Sequence, residues 1–439
     1  MPEPIAICAS PRLPLLALTS LAGSAAVTLL TELLPAGVLP QMSSALQVPP
    51  ARIGFLASGY ATAAAVAAIP FTALARSMPR RPLVTGLLFV LAVADVAVAA
   101  STCYLLTLVI RVLAGLANGM LWSLLASYAA GIVPARQRGR AVAITLAGIT
   151  VTLCAGVPGA TWLAGWIGWR LTFTAVGALA ALMAGCVRCT VPPLGGGSRG
   201  GQAGAAGPVG VARLPGVRVA LATTGLLIAG HQAVYSYIAL VARACGIRHA
   251  GLALLAFGCG AVAGIWITGA LIDRYLRPVL LCATALIAAA MLLLAGCTGH
   301  PVAAVFAIGL WGLGFGGAPT LIQTALIGAA GPDNAEIVSS LQTTAYNAAI
   351  GAGSLLGGVT LGVAGAPALP WAAFCLAGAA LVTVTAGRRH AFPRHCAKLV
   401  RLPPYLRRTD AVGCRPGRRA AENIVVRRSR KPIPSRRPK

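Results

Sequence analysis

The chain has 439 residues, 58% of them hydrophobic and 10% charged, whereas an ordinary globular domain carries about 25% charged residues. Most of its surface must face something other than water, which excludes a water-soluble enzyme. Its 35 Lys and Arg against 8 Asp and Glu would suit a nucleic-acid binder if evenly spread, but residues 388–439 alone hold 17 of the bases, and the others are scattered between long apolar stretches.

A hydrocarbon core about 30 Å thick is crossed by about 20 helical residues. Twelve segments of that kind are bounded by Arg, Pro or Gly: 15–38, 53–75, 83–101, 104–132, 141–162, 170–189, 218–241, 250–272, 279–297, 302–328, 337–363 and 369–387. The runs lack the two-residue alternation of a membrane barrel, and an open sheet edge leaves backbone groups unpaired in lipid. The predicted fold is all-α, a polytopic membrane protein. With the N-terminus inside, thirteen Arg fall on the cytoplasmic side before the tail and four (Arg52, Arg170, Arg243 and Arg248) on the other. The positive-inside rule then puts both termini in the cytoplasm. The first segment is expected to be an uncleaved helix.

Between helices six and seven lies a Gly-rich spacer, including Gly195-Gly196-Gly197-Ser198-Arg199-Gly200-Gly201, which predicts a flexible linker. The expected organisation is a six-helix bundle over 1–190, a linker over 191–217, a second six-helix bundle over 218–387 and a basic disordered tail over 388–439. The halves echo each other. Leu74-Ala75-Arg76 with Arg81-Pro82 recurs loosely as Ile272-Asp273-Arg274 with Arg277-Pro278, and Gly115 and Gly119 before Pro134 match Gly312 and Gly316 before Pro332. Two parallel half-bundles imply a site at their interface, exposed alternately by rocking.

These features carry a family resemblance over roughly residues 13–387. Thr31-Glu32-Leu33-Leu34-Pro35-Ala36-Gly37 in helix one, Arg111-Val112-Leu113-Ala114-Gly115 in helix four and Gly156-Val157-Pro158-Gly159 in helix five are part of it. Gly230-His231-Gln232-Ala233-Val234-Tyr235-Ser236-Tyr237 in helix seven, Gly269-Ala270-Leu271-Ile272-Asp273-Arg274 and Asn347 complete it. The chain resembles the major facilitator superfamily, and within it the twelve-helix drug:proton antiporters similar to chloramphenicol-resistance exporters and arabinose-efflux-like permeases. It departs from the usual pattern at Ala75, where the first gating loop of the family carries an acid, and at Asp95, where relatives tend to have a neutral polar residue.

An ionisable group inside a bilayer costs about 2.5–3.5 kcal/mol on insertion scales, so it tends to face a cavity and mark a pathway. Glu32, well inside helix one, is the first candidate for a proton carrier; the plainer reading is a polar contact to a neighbouring helix. Arg111 keeps its proton, and the resemblance implies that it interacts with the proton-bearing site; otherwise it braces the bundle through backbone carbonyls. Asp95 is a second candidate proton site, or a polar helix contact. Gly156, Pro158 and Gly159 allow a bend and a close helix approach, and the resemblance implies an antiporter motif that limits leak.

His231, Gln232, Tyr235 and Tyr237 offer an aromatic and amide lining suited to a neutral or weakly polar ligand of aromatic character, with Gln323 and Asn347 completing the polar wall. Arg76, Arg80, Arg81, Asp273, Arg274 and Arg277 form the cytoplasmic gating loops, as salt-bridge latches or as topology signals alone. Cys186 and Cys189 make a single Cys-x-x-Cys, too little for a metal site. No phosphate loop or nucleophile motif is present in the sequence, so the expectation is a monomeric transporter with no cofactor and no nucleic-acid partner, driven by a proton gradient. Its partners would be protons, lipid and a small molecule: an amphenicol-type drug or, alternatively, a sugar or nucleoside. A non-transporting sensor with the basic tail as output is the rival from another class.

Overall fold

A computed structural model of the chain describes residues 13–68, 78–194, 208–331, 334–387 and 391. The basic tail, Arg76 and the Gly-rich core of the linker therefore lie outside the described residues. Among those described, the regular elements are all helical, as a chain of this hydropathy requires when lipid offers its backbone no partner.

The spans run in chain order as α1 (Leu15–Ala45), α2 (Pro50–Ala68), α3 (Arg80–Ala100), α4 (Tyr104–Gly131), α5 (Arg138–Ile167) and α6 (Trp169–Thr190). After the short helix Pro208–Ala212 come α7 (Pro215–Tyr235), a helical run Ala250–Gly296, α10 (Pro301–Ala330), α11 (Ala335–Ala364) and α12 (Leu369–Ala386). The 47-residue run is two spans, α8 over 250–274 and α9 over 276–296, because Tyr275 (φ −129°, ψ 32°) leaves the helical region. Its neighbour Pro278 withholds the amide that would bond to the Arg274 carbonyl. Among the described residues ten helices are long and apolar enough to cross a membrane; dividing that run and adding α2, which reaches the edge of the described residues, recovers the twelve expected spans.

Three boundaries differ from expectation. Helix one continues to Ala45 through Pro35 and Pro40. Helix five contains a π turn at Thr152–Gly156, one residue short of Pro158. Helix seven stops at Tyr235, and a separate helix, Ile238–Ala244, follows a break at Ser236 and Tyr237.

The glycine echo has a structural meaning. A Cβ on Gly115 or Gly119 of α4 would overlap the carbonyls of Tyr60 or Ala64 on α2, and one on Gly312 or Gly316 of α10 would overlap those of Phe257 or Ala261 on α8. The same close backbone crossing occurs in both halves, made by glycines four residues apart. Gly115→Val is expected to force the α2–α4 pair apart, destabilising the fold by about 1–3 kcal/mol. A lowered melting midpoint of the detergent-purified protein checks this.

The bundle has two ends. One carries Leu13, the connections at 78–79 and 132–137, and Gly331; the far end carries those at 46–49, 101–103, 245–249, 297–300 and 365–368. The seams between the halves lie toward the far end: Gly351 and Gly358 of α11 against Ser58, Thr62 and Phe55 of α2, and Gly251 and Gly258 of α8 against Trp162 and Leu153 of α5. The short helix Ile238–Ala244 packs there against α1.

Candidate substrate and proton site

The site begins at a proline. Pro35 has no N–H for the Thr31 carbonyl, so α1 carries an orphaned acceptor in mid-membrane. Arg111 of α4, fully buried, supplies the missing donor. Its Nη1 donates to the Thr31 carbonyl at 2.8 Å and its Nη2 to the Glu32 carbonyl at 3.3 Å. The guanidinium lies over the Tyr60 ring, 4.1 Å from its centroid, a cation–π contact strengthened by exclusion of water. Arg111 thus binds the backbone of α1 one turn before Pro35, and its hydrogen bonds go to carbonyls rather than to the carboxylates of Glu32 or Asp95.

Those two acids part company. Asp95 is buried on α3, where its Oδ2 accepts a 2.6 Å hydrogen bond from the Thr31 hydroxyl; Thr31 therefore ties Asp95 to the carbonyl that Arg111 holds. Glu32 faces the other way, with its Oε2 accepting from Asn118 Nδ2 at 3.2 Å and Trp122 also reaching it. Its carboxylate borders a small cavity of about 10 Å³, room for about one water, lined by α1, α2 and α7, whose polar residues besides Glu32 are Gln232, Tyr235 and Ser236.

The break in α7 shapes the opposite wall. Gln232 Nε2 donates to Ser236 Oγ at 3.0 Å, and Ser236 Oγ pairs with Ser354 Oγ of α11 at 2.7 Å. The next residue, Tyr237, is buried between the halves. Its hydroxyl stands 3.0 Å from the Ser354 carbonyl on α11 and 3.3 Å from the Ala51 carbonyl on α2. The slot for that ring exists because Gly54, Gly357 and Gly358 lack side chains; a Cβ on any of them would collide with Tyr237. Tyr237 therefore lies on the far side of the cavity, as a plug between α2 and α11.

His231, one turn before Tyr235, points into a ring cluster with Tyr235, Phe257, Trp311 and Phe315. Glu32, Gln232 and Tyr235 thus meet at one cavity, and His231 and Tyr237 adjoin it. Asn347 Nδ2 bonds back to the Thr343 carbonyl of its own helix at 2.9 Å, and Gln323 is exposed on α10; neither lines the cavity. In α5 the π turn shifts the register just before Pro158. Gly159 has open space where a Cβ would stand, and Gly156 meets only Thr152 of its own turn. The close approaches of α5 are made instead at Gly148, against the Ala22 carbonyl of α1, and by Gly258 of α8 against the Leu153 carbonyl.

The loop charges are held separately. Arg80 donates to Ser127 Oγ at 2.8 Å, Arg81 reaches the Val191 carbonyl at 3.5 Å, and Arg277, buried, reaches the Thr385 carbonyl at 3.4 Å. Arg274 lies over Tyr275 and Asp273 is exposed, so among the described residues the expected latch contacts are not made in this conformation. Sequence reasoning missed Thr31, Tyr60, Asn118 and Ser354. Asn118 carried a signal, since it stands two turns from Arg111 on one face of α4.

With the geometry in view, comparison with known proteins is direct. The model of the Major Facilitator Superfamily matches residues 21–354 and 246–400. The chain belongs to the Major Facilitator Superfamily. It is 34% identical over 341 residues to a chloramphenicol resistance protein of Streptomyces lividans, covering 76% of this chain and 86% of that one. It is 31% identical over 356 residues to a chloramphenicol efflux pump of Mycobacterium tuberculosis, covering 78% and 85%. Among solved structures it superposes on the nucleoside transporter NupG with a TM-score of 0.69 at 14% identity, over 86% of this chain and 98% of that one. It also superposes on a bacterial homologue of the lysosomal transporter Spinster, with a TM-score of 0.67 at 17% identity, over 88% and 99%. As a member of this superfamily the chain is a multi-pass membrane transporter and not an enzyme.

Proposed function

We propose that this superfamily member exports a small organic compound of the amphenicol kind in exchange for protons, across a cytoplasmic membrane with both termini inside. The observation that carries the reading is Glu32, an acid whose carboxylate opens on a cavity between α1, α2 and α7. Burying it in mid-membrane is tolerated because that polar cavity receives it; it has room for about one water in this conformation, and loading a solute beside Glu32 requires α1, α2 and α7 to part. The names of the relatives, a chloramphenicol resistance protein and an efflux pump, support the substrate class, and the Arg distribution supports the orientation. In that orientation the seams and Tyr237 close the outer end, as the inward-facing side of an alternating cycle requires.

One proton moving down about 100 mV releases about 2.3 kcal/mol, enough at about 1.4 kcal/mol per decade for roughly a fifty-fold solute gradient. The test is uptake into inverted vesicles under an imposed pH gradient, with amphenicols, sugars and nucleosides compared. Amphenicol accumulation that collapses when the gradient is dissipated is the expected result. Accumulation of a sugar or nucleoside instead would replace the substrate class, and the absence of any flux would overturn the reading.

A further inference from the structure

Behind the cavity wall, the C-terminal half holds a ring cluster drawn from three helices: His231 and Tyr235 of α7, Phe257 of α8, and Trp311 and Phe315 of α10. Tyr235 is shared, since it lines the cavity and meets His231 at 5.2 Å and Phe257 at 5.2 Å between ring centroids. Inside the cluster, the His231 and Phe315 rings lie face to face, 3.6 Å apart and 12° from parallel. Trp311 crosses His231 at 5.1 Å and Phe257 at 4.8 Å.

Two features are foreign to a cluster built only to fill space. Trp311 Nε1 and His231 Nδ1 are both buried and have no hydrogen-bond partner, although Trp311 is fully enclosed and indole N–H is a donor that ordinarily finds an acceptor when buried. Phenylalanine at either position would fill the volume without an orphaned polar atom. The second feature is the setting of Phe315. Pro319, four residues on, leaves the Phe315 carbonyl without its helical donor, so α10 has lost a restraint at the residue whose ring covers His231.

We propose that His231, Phe257, Trp311 and Phe315, entered past Tyr235, are a subsite for a planar, uncharged aromatic ring bearing a hydrogen-bond acceptor. Phe315 holds the ligand's place in the empty site and swings aside on loading. The ligand ring then stacks on His231, and its acceptor receives the Trp311 N–H. This inference rests on the exporter reading and narrows it, because it makes an acceptor-bearing aryl group the feature recognised by the C-terminal half. Aliphatic polyols such as sugars offer no ring face for this site.

The test is equilibrium binding of radiolabelled chloramphenicol, whose nitrophenyl ring has both properties, to the purified full chain, with Trp311→Phe and Phe315→Ala compared. Trp311→Phe keeps an aromatic wall and removes one donor, so affinity should fall about tenfold, the value of one lost hydrogen bond. Competition by toluene, an aromatic ring with no hydrogen-bond acceptor, should be unchanged by the same substitution. Melting midpoints of the variants separate a binding defect from misfolding, and Trp311→Met, which also lacks a donor, serves if the phenylalanine variant is unstable. Binding unchanged within twofold in a folded Trp311 variant overturns the subsite. So does a wild-type chain that carries sugars but binds no aryl compound, although the exporter reading would then stand. A chain that binds chloramphenicol with the predicted Trp311 dependence yet moves nothing would retain the subsite and lose the exporter reading.

Discussion

Glu32→Gln is expected to abolish accumulation driven by a pH gradient while leaving the protein folded and able to bind its solute. Glutamine has the same size, and its side-chain oxygen can still accept from Asn118, which now stands 3.2 Å from the Glu32 carboxylate. What disappears is the proton. Since one proton supports roughly a fifty-fold gradient at about 100 mV, accumulation should fall to near the equilibrium ratio, a change of more than tenfold. Exchange of labelled for unlabelled solute, which needs no net proton movement, should survive. Measuring both in the same vesicles distinguishes loss of coupling from loss of transport. If accumulation in the variant kept its dependence on the gradient, the carrier would be elsewhere, and Asp95, buried against Thr31, would be the next residue to test.

Removal of the Arg111 side chain should have the second large effect, on stability before transport. Arg111→Ala deletes two charge-assisted hydrogen bonds to the α1 backbone and the stack on Tyr60, and strands a carbonyl that Pro35 has already deprived of its helical partner. Charge-assisted bonds are each worth about 1.5–3 kcal/mol, and the vacated volume adds a cavity term, so a loss of about 3–5 kcal/mol is expected. Lysine restores the charge but not the forked donor geometry, so Arg111→Lys should recover only part of it. Thermal unfolding in detergent, followed by the yield of monodisperse protein, reads this order: wild type, then lysine, then alanine. Equal midpoints for all three would show that the contact with α1 carries little.

How much of this was legible beforehand follows from the kind of signal each feature leaves. Glu32, Asp95 and Arg111 stood out because charge is rare in this chain and expensive in lipid. The Gly115/Gly119 and Gly312/Gly316 pairs also stood out, because close backbone crossings restrict residue type. Pro35 was visible, but its consequence was not. That an orphaned carbonyl on α1 faces an arginine on α4 is a fact of helix packing, eighty residues apart. The break at Ser236 and Tyr237 left no trace, since neither residue is a helix breaker; it is sustained by contacts to Ser354 and Ala51. The ring cluster was half visible. His231 and Tyr235 are unusual in an apolar helix, whereas Phe257, Trp311 and Phe315 look like ordinary membrane residues until three helices bring them together.

The claim on which the account depends is that Glu32 faces a compartment reached from one side of the membrane at a time. Ala57 lines the same cavity, and a cysteine placed there, in a chain cleared of its twelve native cysteines, reports access directly. Membrane-impermeant maleimide should label position 57 from the side that bears Leu13 in the resting protein. Labelling from the opposite side should rise when Tyr237→Phe removes the hydroxyl that joins α2 to α11. Labelling equally from both sides at rest, or from neither side in any condition, would contradict it.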